Sequence, residues 1–211
     1  MRLRTESYKA QTERWPSEGR HILAQYDDDD VVVYQAYRPS IGHYAAAHGV
    51  FGGEFSYSRM SWVKPNYLWM MYRSGWGTKP GQEVVLAVHI ERAFFEELLG
   101  SAVHSSFVEA LYSTHDEWKR RLRESEVRLQ WDPDHGPKGG KLARRAIQLG
   151  LRGTTLHRYG KEAVRGIEDI SDFVAAGRAQ LDDQRALVTP REETFVPRDP
   201  AVAAHLGLAS S

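Results

Sequence analysis

Residues 59–76 read Arg59-Met-Ser-Trp-Val-Lys-Pro-Asn-Tyr-Leu-Trp-Met-Met-Tyr-Arg-Ser-Gly-Trp76. Apolar and polar residues alternate over residues 55–63, which predicts a strand. Lys64-Pro65 interrupts that strand, because proline cannot donate to a ladder and restricts the residue before it. Residues 66–73 then have the composition of a short helix. The stretch is therefore expected to lie at a strand-to-helix junction, in a fold that mixes both element types.

The same stretch concentrates aromatic rings and positive charge. Bases stack on aromatic rings and phosphates pair with arginine or lysine, so this composition is typical of a nucleotide site. The strand-to-helix junction adds the unpaired amides of a helix N-terminus, which attract anions. The alternative interpretation is a buried aromatic core segment whose cations reach solvent. The rings and cations are Trp62, Trp69, Trp76, Tyr67, Tyr72, Arg59, Lys64 and Arg73.

A hairpin and a helix are predicted before this junction. Residues 21–26 and 31–37 are rich in β-forming residues and flank four aspartates at positions 27–30. Two such runs around turn-forming, mutually repelling acids predict a hairpin with an acidic tip. Residues 41–48 then predict a helix, because Gly49 follows as an expected C-terminal cap.

Two apolar strands are predicted after the junction. Residues 83–90 are β-branched and apolar enough for a central strand, and residues 127–131 alternate like a strand with one buried face. Together these elements predict a single α+β domain over residues 1–183, with a small central mixed or antiparallel split sheet flanked by helices. Residues 184–211 are punctuated by proline and lack periodicity, so an irregular C-terminal tail is expected.

The region between the last of these strands and the tail contains more glycine and proline. Residues 132–141 hold two prolines and three glycines, which predicts a flexible loop. Residues 144–151 predict a strand or a short helix, and residues 154–158 predict an edge strand. Residues 159–181 predict a helix whose apolar positions pack against the sheet.

The bulk composition limits the possible classes of function. The 211 residues suit one domain of ordinary size, and basic and acidic residues balance at 28 each, so an anion-binding surface has to be local. The absence of cysteine excludes disulfides, thiolate nucleophiles and thiolate metal sites. No apolar run resembles a secretory signal or reaches the length of a membrane span, so a cytoplasmic protein with no membrane partner is expected.

Complete catalytic motifs are missing from the sequence. The nine histidines form no helical His-x-x-x-His pair, and there is no Gly-x-Ser-x-Gly elbow, Walker loop or dinucleotide fingerprint. Lys64 as a nucleophile for nucleotidyl transfer lacks the acidic residue and the glycine expected two and three positions later. Asp132 and Asp134 have a spacing that suits magnesium, but it suits turn formation equally. No metal site is predicted.

Five segments of the sequence together resemble the family described as domain of unknown function 4291. The resemblance covers nearly the whole chain, and it implies a family without implying a reaction. The segments are Tyr34-Gln-Ala-Tyr37, Arg59-Met-Ser-Trp-Val-Lys-Pro65, Leu68-Trp-Met-Met-Tyr-Arg-Ser-Gly-Trp76, Gln130-Trp-Asp-Pro133 and Ile147-Gln-Leu-Gly-Leu-Arg-Gly153.

The order of the predicted elements also resembles ADP-ribosyltransferases, which bind NAD on a small split α+β sheet. The resemblance implies NAD as the cofactor. It further implies an early residue that holds NAD, a second residue on a strand, and a late residue that aids the transfer in place of the usual glutamate. The residues it places in these roles are, in order, Tyr34, Tyr37 or Arg38, then Ser61, then Gln130 or Asp132.

These observations predict a nucleotide-binding enzyme, an NAD-dependent transferase similar to ADP-ribosyltransferases, whose acceptor is a nucleobase, a nucleic acid or a nucleotide-like molecule. Arg38, Ser61, Gln130 and Asp132 are expected to take part in catalysis. A non-catalytic binder of RNA or single-stranded nucleic acid is the main alternative, and a metal-dependent phosphodiesterase or RNA-ligase-like enzyme is the other. The residues expected to bind the cofactor are Tyr34, Tyr37, Arg59, Lys64 and Arg73.

Overall fold

The computed structural model of the protein describes residues 2–209. Over these residues the chain forms a single α+β domain with mixed sheets, as predicted. The strands are β1 (Thr5–Ser7), β2 (Gly19–Arg20), β3 (Ile22–Ala24), β4 (Asp30–Tyr37), β5 (Ser61–Val63), β6 (Val84–Glu91), β7 (Val103–His104), β8 (Val127–His135), β9 (Lys141–Leu151), β10 (Val164–Asp169), β11 (Val188–Pro190) and β12 (Glu193–Phe195). The helices are α1 (Tyr8–Thr12), α2 (Pro39–His48), α3 (Tyr67–Ser74), α4 (Arg92–Ser101), α5 (His115–Glu124), α6 (Gly153–Lys161), α7 (Ser171–Ala179) and α8 (Pro200–Leu206).

Strand β6 is the middle strand of an antiparallel three-stranded sheet with the order β10-β6-β4. Its Val88 lies opposite Val33 of β4 on one side and Ile167 of β10 on the other. All its residues up to Ile90 are buried. A strand covered on both faces reads as a continuous apolar run, which is why the central strand predicted over residues 83–90 is confirmed.

The second sheet is built on the antiparallel hairpin of β8 and β9. Strands β2 and β5 pair with β9, and β7 pairs with β8. Because β8 continues to His135 and β9 begins at Lys141, half of the predicted flexible loop is strand. Pro133, which suggested the loop, lies beside a shift in the register. An irregular ladder tolerates the missing donor of proline.

The two sheets meet at one backbone bridge, between Tyr34 of β4 and Lys64 at the end of β5. The Tyr34 amide donates to the Lys64 carbonyl at 2.7 Å, and the Lys64 amide donates back at 3.3 Å. No other backbone hydrogen bond joins β4 to β5 within residues 2–209. Instead, the side chain of Gln35 donates to the Trp62 carbonyl at 3.2 Å. The sheets therefore part immediately beyond the bridge.

Helix α3 follows this bridge and confirms the helix predicted over residues 66–73. The Asn66 side chain accepts a hydrogen bond from the Trp69 amide at 2.6 Å, as an N-cap does. A second acceptor comes from far along the chain. The Glu192 carboxylate accepts a hydrogen bond from the Tyr67 amide at 2.6 Å. Gly75, with φ of +60°, ends the helix. The predicted strand-to-helix junction is thus present.

Two elements after β9 differ from the prediction. Residues 154–158 belong to α6 and not to an edge strand, because the Glu126 carboxylate accepts hydrogen bonds from the amides of Thr154 and Thr155 at 3.0 and 2.8 Å. This cap comes from a different element and has no local signature. The helix predicted over residues 159–181 is interrupted by β10, which gives the apolar strand β6 its second partner.

The expectation of an irregular tail over residues 184–211 is wrong for its described part. Strand β11 pairs with β1, β12 pairs with β3, and α8 follows. Leu187, Phe195 and Leu206 are fully buried. Two of the three prolines that suggested irregularity, Pro190 and Pro200, lie in the short strand β11 and at the first turn of α8, where the missing N–H costs little.

The aromatic stretch contributes to a second core, separate from the main one. Tyr34, Tyr67, Met70, Met71 and Trp76 pack together with the apolar residues of β6 and α7. The alternative interpretation, that these rings belong to a buried core, is therefore correct for part of residues 59–76. Among the helices of residues 2–209, none has the length and apolar composition needed to cross a bilayer.

Candidate functional site

A cavity of about 460 Å³ opens where the two sheets part, and we call it the junction cavity. Residues of β4 and β5, of α3, and of the β8–β9 hairpin line it. Five of the nine predicted site residues meet there, namely Tyr37, Ser61, Lys64, Arg73 and Gln130. Its other lining residues are Gln35, Ala36, Met60, Trp62, Met70, Gln82 and Gln148.

Lys64 places a positive charge inside the protein. The residue is 4% exposed, and its ammonium forms no hydrogen bond or ion pair with any residue in the described part of the chain. Burial and the nearby charge of Arg73 together lower the pKa of Lys64 to about 8, against the opposing effect of Asp132. A buried cation without a bonded partner is costly, and an anion in the cavity would offset that cost.

Asp132 holds two glutamine amides in place at the β8–β9 hairpin. The Nε2 of Gln130 donates to its Oδ1 at 2.8 Å, and the Nε2 of Gln148 donates to its Oδ2 at 2.7 Å. The Oε1 atoms of both glutamines have no hydrogen-bond partner among the described residues and can accept from a ligand. Sequence reasoning missed Gln148, whose place opposite Gln130 follows from the register of the hairpin.

Gln35 fixes the hydroxyl groups of the cavity wall. Its Oε1 accepts a hydrogen bond from the Tyr159 hydroxyl at 2.7 Å. Its Nε2 lies 2.8 Å from the Tyr37 hydroxyl and 2.9 Å from the Ser61 Oγ, and these two oxygens are 2.6 Å apart. Gln35 was also missed, because a glutamine within an apolar strand carries no sequence signature of its own.

This network gives Ser61 a fixed direction and no general base. Its two partners are neutral, since Gln35 does not titrate and burial raises the pKa of the Tyr37 phenol above its ordinary value. An activated serine nucleophile needs a group that takes its proton. Ser61 is therefore suited to a hydrogen bond with a ligand.

Arg38 and Arg59 line an adjoining cavity of about 470 Å³, which shares Tyr37, Met60 and Ser61 with the junction cavity. Arg38 is exposed and its Nη2 donates to the Glu54 carboxylate at 2.6 Å. Arg59 is exposed and has no ion pair with the described residues. The predicted cations therefore divide between two connected spaces, with Lys64 and Arg73 in one and the other two arginines in the next.

The structure places Tyr34 away from both cavities. Side chains alternate along β4, so Tyr34 points to the face opposite Tyr37. It is fully buried in the second core, with its ring edge-on to Tyr67 at 5.5 Å. Its backbone bridge to Lys64 supports the site, whereas its side chain does not reach it.

Asp134 does not join Asp132 as a second ligand for a metal. It is buried, its Oδ2 lies 2.7 Å from Nη2 of Arg144, and its Oδ1 accepts from the His135 amide at 2.7 Å. Among residues 2–209, no group of three histidine, aspartate or glutamate side chains is placed to hold a metal ion. A metal-dependent phosphodiesterase would need both aspartates as metal ligands. Because Asp134 is paired with Arg144, the structure does not support that interpretation.

The fold and the site together define a single-domain α+β protein with a cationic, amide-lined cavity at the junction of two sheets. The model of the family described as Domain of unknown function (DUF4291) matches residues 21–195, so the chain belongs to this family. That match confirms the resemblance drawn from the five sequence segments. No curated protein matches the sequence.

Proposed function

We propose that the junction cavity binds a nucleotide, and that the protein is an NAD-consuming transferase similar to ADP-ribosyltransferases. One observation carries the proposal: Lys64 is buried, has no bonded partner among the described residues 2–209, and faces a cavity together with Arg73. Arginine and lysine bind phosphate oxygens with charge-assisted hydrogen bonds. The ligand that this pair favours therefore carries phosphate.

The rest of the lining suits the uncharged parts of a nucleotide. Amide side chains supply both donors and acceptors, which match the edge of a base or nicotinamide and the ribose hydroxyls. The half-buried ring of Tyr37 offers a face between the two cavities. Each space falls in the range of roughly 300–1,000 Å³ typical of small-molecule sites. NAD can extend from one space into the other, towards Arg59.

In the proposed reaction the bond between nicotinamide and ribose breaks, and its electron pair leaves with nicotinamide. A nucleophilic atom of the acceptor bonds to the same ribose carbon and loses its proton to solvent. Positive charge develops on the ribose during this exchange. The carboxylate of Asp132 lies behind the cavity-lining Gln130 and Gln148, whose amides donate to it, and in this proposal it stabilises that charge. The acceptor is a nucleobase, a nucleic acid or another nucleotide-like molecule.

The test measures free nicotinamide after incubation of the protein with NAD, with and without RNA. We expect release by the wild type and a rate lower by at least about tenfold in Lys64→Met and in Asp132→Asn, since each removes a charge that the reaction uses. Arg185→Gln, a change of an exposed arginine far along the chain, is the matched control and should keep the rate. Absence of nicotinamide under every condition would overturn the transferase proposal.

A second candidate, binding of RNA without catalysis, is favoured by one surface feature. Tyr72 is 41% exposed and stacks on His135 with a centroid separation of 3.6 Å, next in sequence to Arg73. Aromatic rings beside arginine bind single strands by stacking and charge. Salt-sensitive RNA binding that Tyr72→Ala weakens, without nicotinamide release from NAD, would favour this function over the transferase.

A further inference from the structure

A smaller cavity of about 180 Å³ lies on the other side of Gln130, at the edge strand β7, and we call it the edge cavity. Gln130 lines both this space and the junction cavity. It is below the usual size of a site for a whole nucleoside, which starts at roughly 300 Å³. Its polar lining consists of Arg20, His104, Ser105, Ser106 and Arg145 besides Gln130.

The two arginines give the edge cavity a net positive charge. Neither Arg20 nor Arg145 forms an ion pair with any described residue, and no acidic side chain of residues 2–209 lines the space. The Nη2 of Arg145 donates to the Trp131 carbonyl at 3.0 Å, which holds the guanidinium at the wall. Arg20 packs closely on Gly207, where an added Cβ would lie 2.6 Å from its Nη1. Both charges are therefore held in position without a counterion from residues 2–209.

His104 supplies a hydrogen-bond donor at the same place. The Tyr112 hydroxyl accepts from the His104 backbone amide at 3.1 Å and lies 3.2 Å from Nδ1 of the ring. The hydroxyl hydrogen has no other acceptor among residues 2–209, so we place it on Nδ1, which puts the proton of the neutral ring on Nε2. That Nε2 is buried and has no partner within the described residues. Burial, with the nearby His205 and Arg20, lowers the pKa of His104 to about 4, so the ring is neutral at pH 7.

Ser105 adds a second buried group of the same kind. Its Oγ has no hydrogen-bond partner among residues 2–209, although its backbone amide donates to the Leu129 carbonyl at 2.7 Å and fixes the loop. Buried polar atoms without partners are rare in native proteins because each costs free energy. A ligand that accepts from both groups would remove that cost.

We propose that the edge cavity is a phosphate-binding site, for inorganic phosphate or for the terminal phosphate of a nucleotide or oligonucleotide. Two guanidinium groups without an acidic partner in the described part of the chain, an imidazole N–H and serine hydroxyls are donors that a tetrahedral oxyanion with several acceptor oxygens satisfies together. The inference does not depend on what binds in the junction cavity, because it rests on a separate set of side chains.

The experiment follows the backbone amide NMR signals of Ser105 and Ser106 while inorganic phosphate replaces chloride at constant ionic strength. We expect saturable shifts of these signals in the wild type. The apparent Kd should rise by at least about tenfold in Arg20→Gln and in Arg145→Gln, and stay unchanged in the control Arg185→Gln. Lys64→Met should also keep the shifts, since that variant disables only the junction cavity.

Two further titrations separate the sources of phosphate. A 5′-phosphorylated dinucleotide that shifts the same signals more strongly than its unphosphorylated form identifies a terminal phosphate as the ligand. Shifts with inorganic phosphate alone identify the free anion. Either result supports the site. Unshifted Ser105 and Ser106 signals with every probe, or equal Kd values in Arg20→Gln, Arg145→Gln and the wild type, would overturn it.

Discussion

Lys64 is the residue on which the proposed nucleotide site depends most. Its backbone forms the bridge that joins the two sheets, while its side chain adds a buried positive charge to the cavity that Arg73 also lines. The sequence indicated the importance of Lys64, Arg59 and Arg73 through the cluster of charge and rings. It could not reveal that Lys64 is the buried member and the arginines are exposed, because burial depends on contacts between distant strands.

The burial of Lys64 predicts a variant that gains stability as it loses function. The folded-state pKa, about 8, lies below the ordinary value of 10.5, so folding pays for a charged ammonium at neutral pH. This cost is complete below about pH 8 and disappears as the pH rises towards 10.5. Lys64→Met keeps the apolar stem and should raise the free energy of unfolding by up to roughly 3 kcal/mol at pH 7. Urea unfolding at pH 7 and pH 10 checks this, and a loss of stability at pH 7 would contradict it.

At the scale of elements, α3 shows which parts of the fold the sequence could predict. The N-cap Asn66 and the terminating Gly75 are local features, and the helix predicted over residues 66–73 agrees with α3 to within one residue at each end. The carboxylate of Glu192 at the first turn of α3 could not be predicted, because Glu192 lies 125 residues away from Tyr67, between β11 and β12. The same limit applies to α6, which is capped by Glu126. Caps that come from another element leave no pattern beside the helix they stabilise.

The buried carboxyl of Glu192 predicts a specific dependence of stability on pH. Burial, with the nearby charge of Asp134, raises its pKa well above the ordinary value, against the opposing effects of the Tyr67 amide and Arg144. A carboxyl group whose pKa is higher in the folded state contributes its full stabilisation below its unfolded-state pKa. That stabilisation is lost as the pH rises through the folded-state pKa. Glu192→Gln keeps the acceptor for Tyr67. We expect it to match the wild type near pH 5 and to exceed its free energy of unfolding at pH 8.

A control for that prediction is Glu192→Ala, which removes the acceptor altogether. It leaves the Tyr67 amide without its buried partner and should cost about 1–3 kcal/mol at both pH values. Denaturant unfolding of the three proteins at the two pH values gives the comparison. If Glu192→Gln were less stable than the wild type at pH 8, that result would contradict the raised pKa of Glu192.

At the scale of the whole molecule, the site exists because the two sheets are joined by a single backbone bridge within residues 2–209 and then part. The α+β class and the central strand followed from periodicity and composition. Lys64 and Arg73 were predicted from the cluster of charge and rings, whereas Tyr37, Ser61 and Gln130 were predicted from the resemblance to ADP-ribosyltransferases. The roles of Gln35 and Gln148 could not be predicted from the sequence. The packing of β4, β5, β8 and β9 together decides which strand edges face each other. The tail was misjudged for a related reason, since β11 and β12 are stabilised by partners near the start of the chain.

The most direct test of the central claim is isothermal titration calorimetry of NAD and of ADP with the wild type and Lys64→Met, at pH 7 and pH 9.5. We expect saturable binding at pH 7 that is weaker by at least about tenfold in Lys64→Met, because the ammonium contacts phosphate. We also expect that the wild type loses affinity between the two pH values, across the Lys64 pKa of about 8, while the variant changes little. Equal affinities of the two proteins at pH 7, or no binding of either ligand, would contradict the proposed nucleotide site.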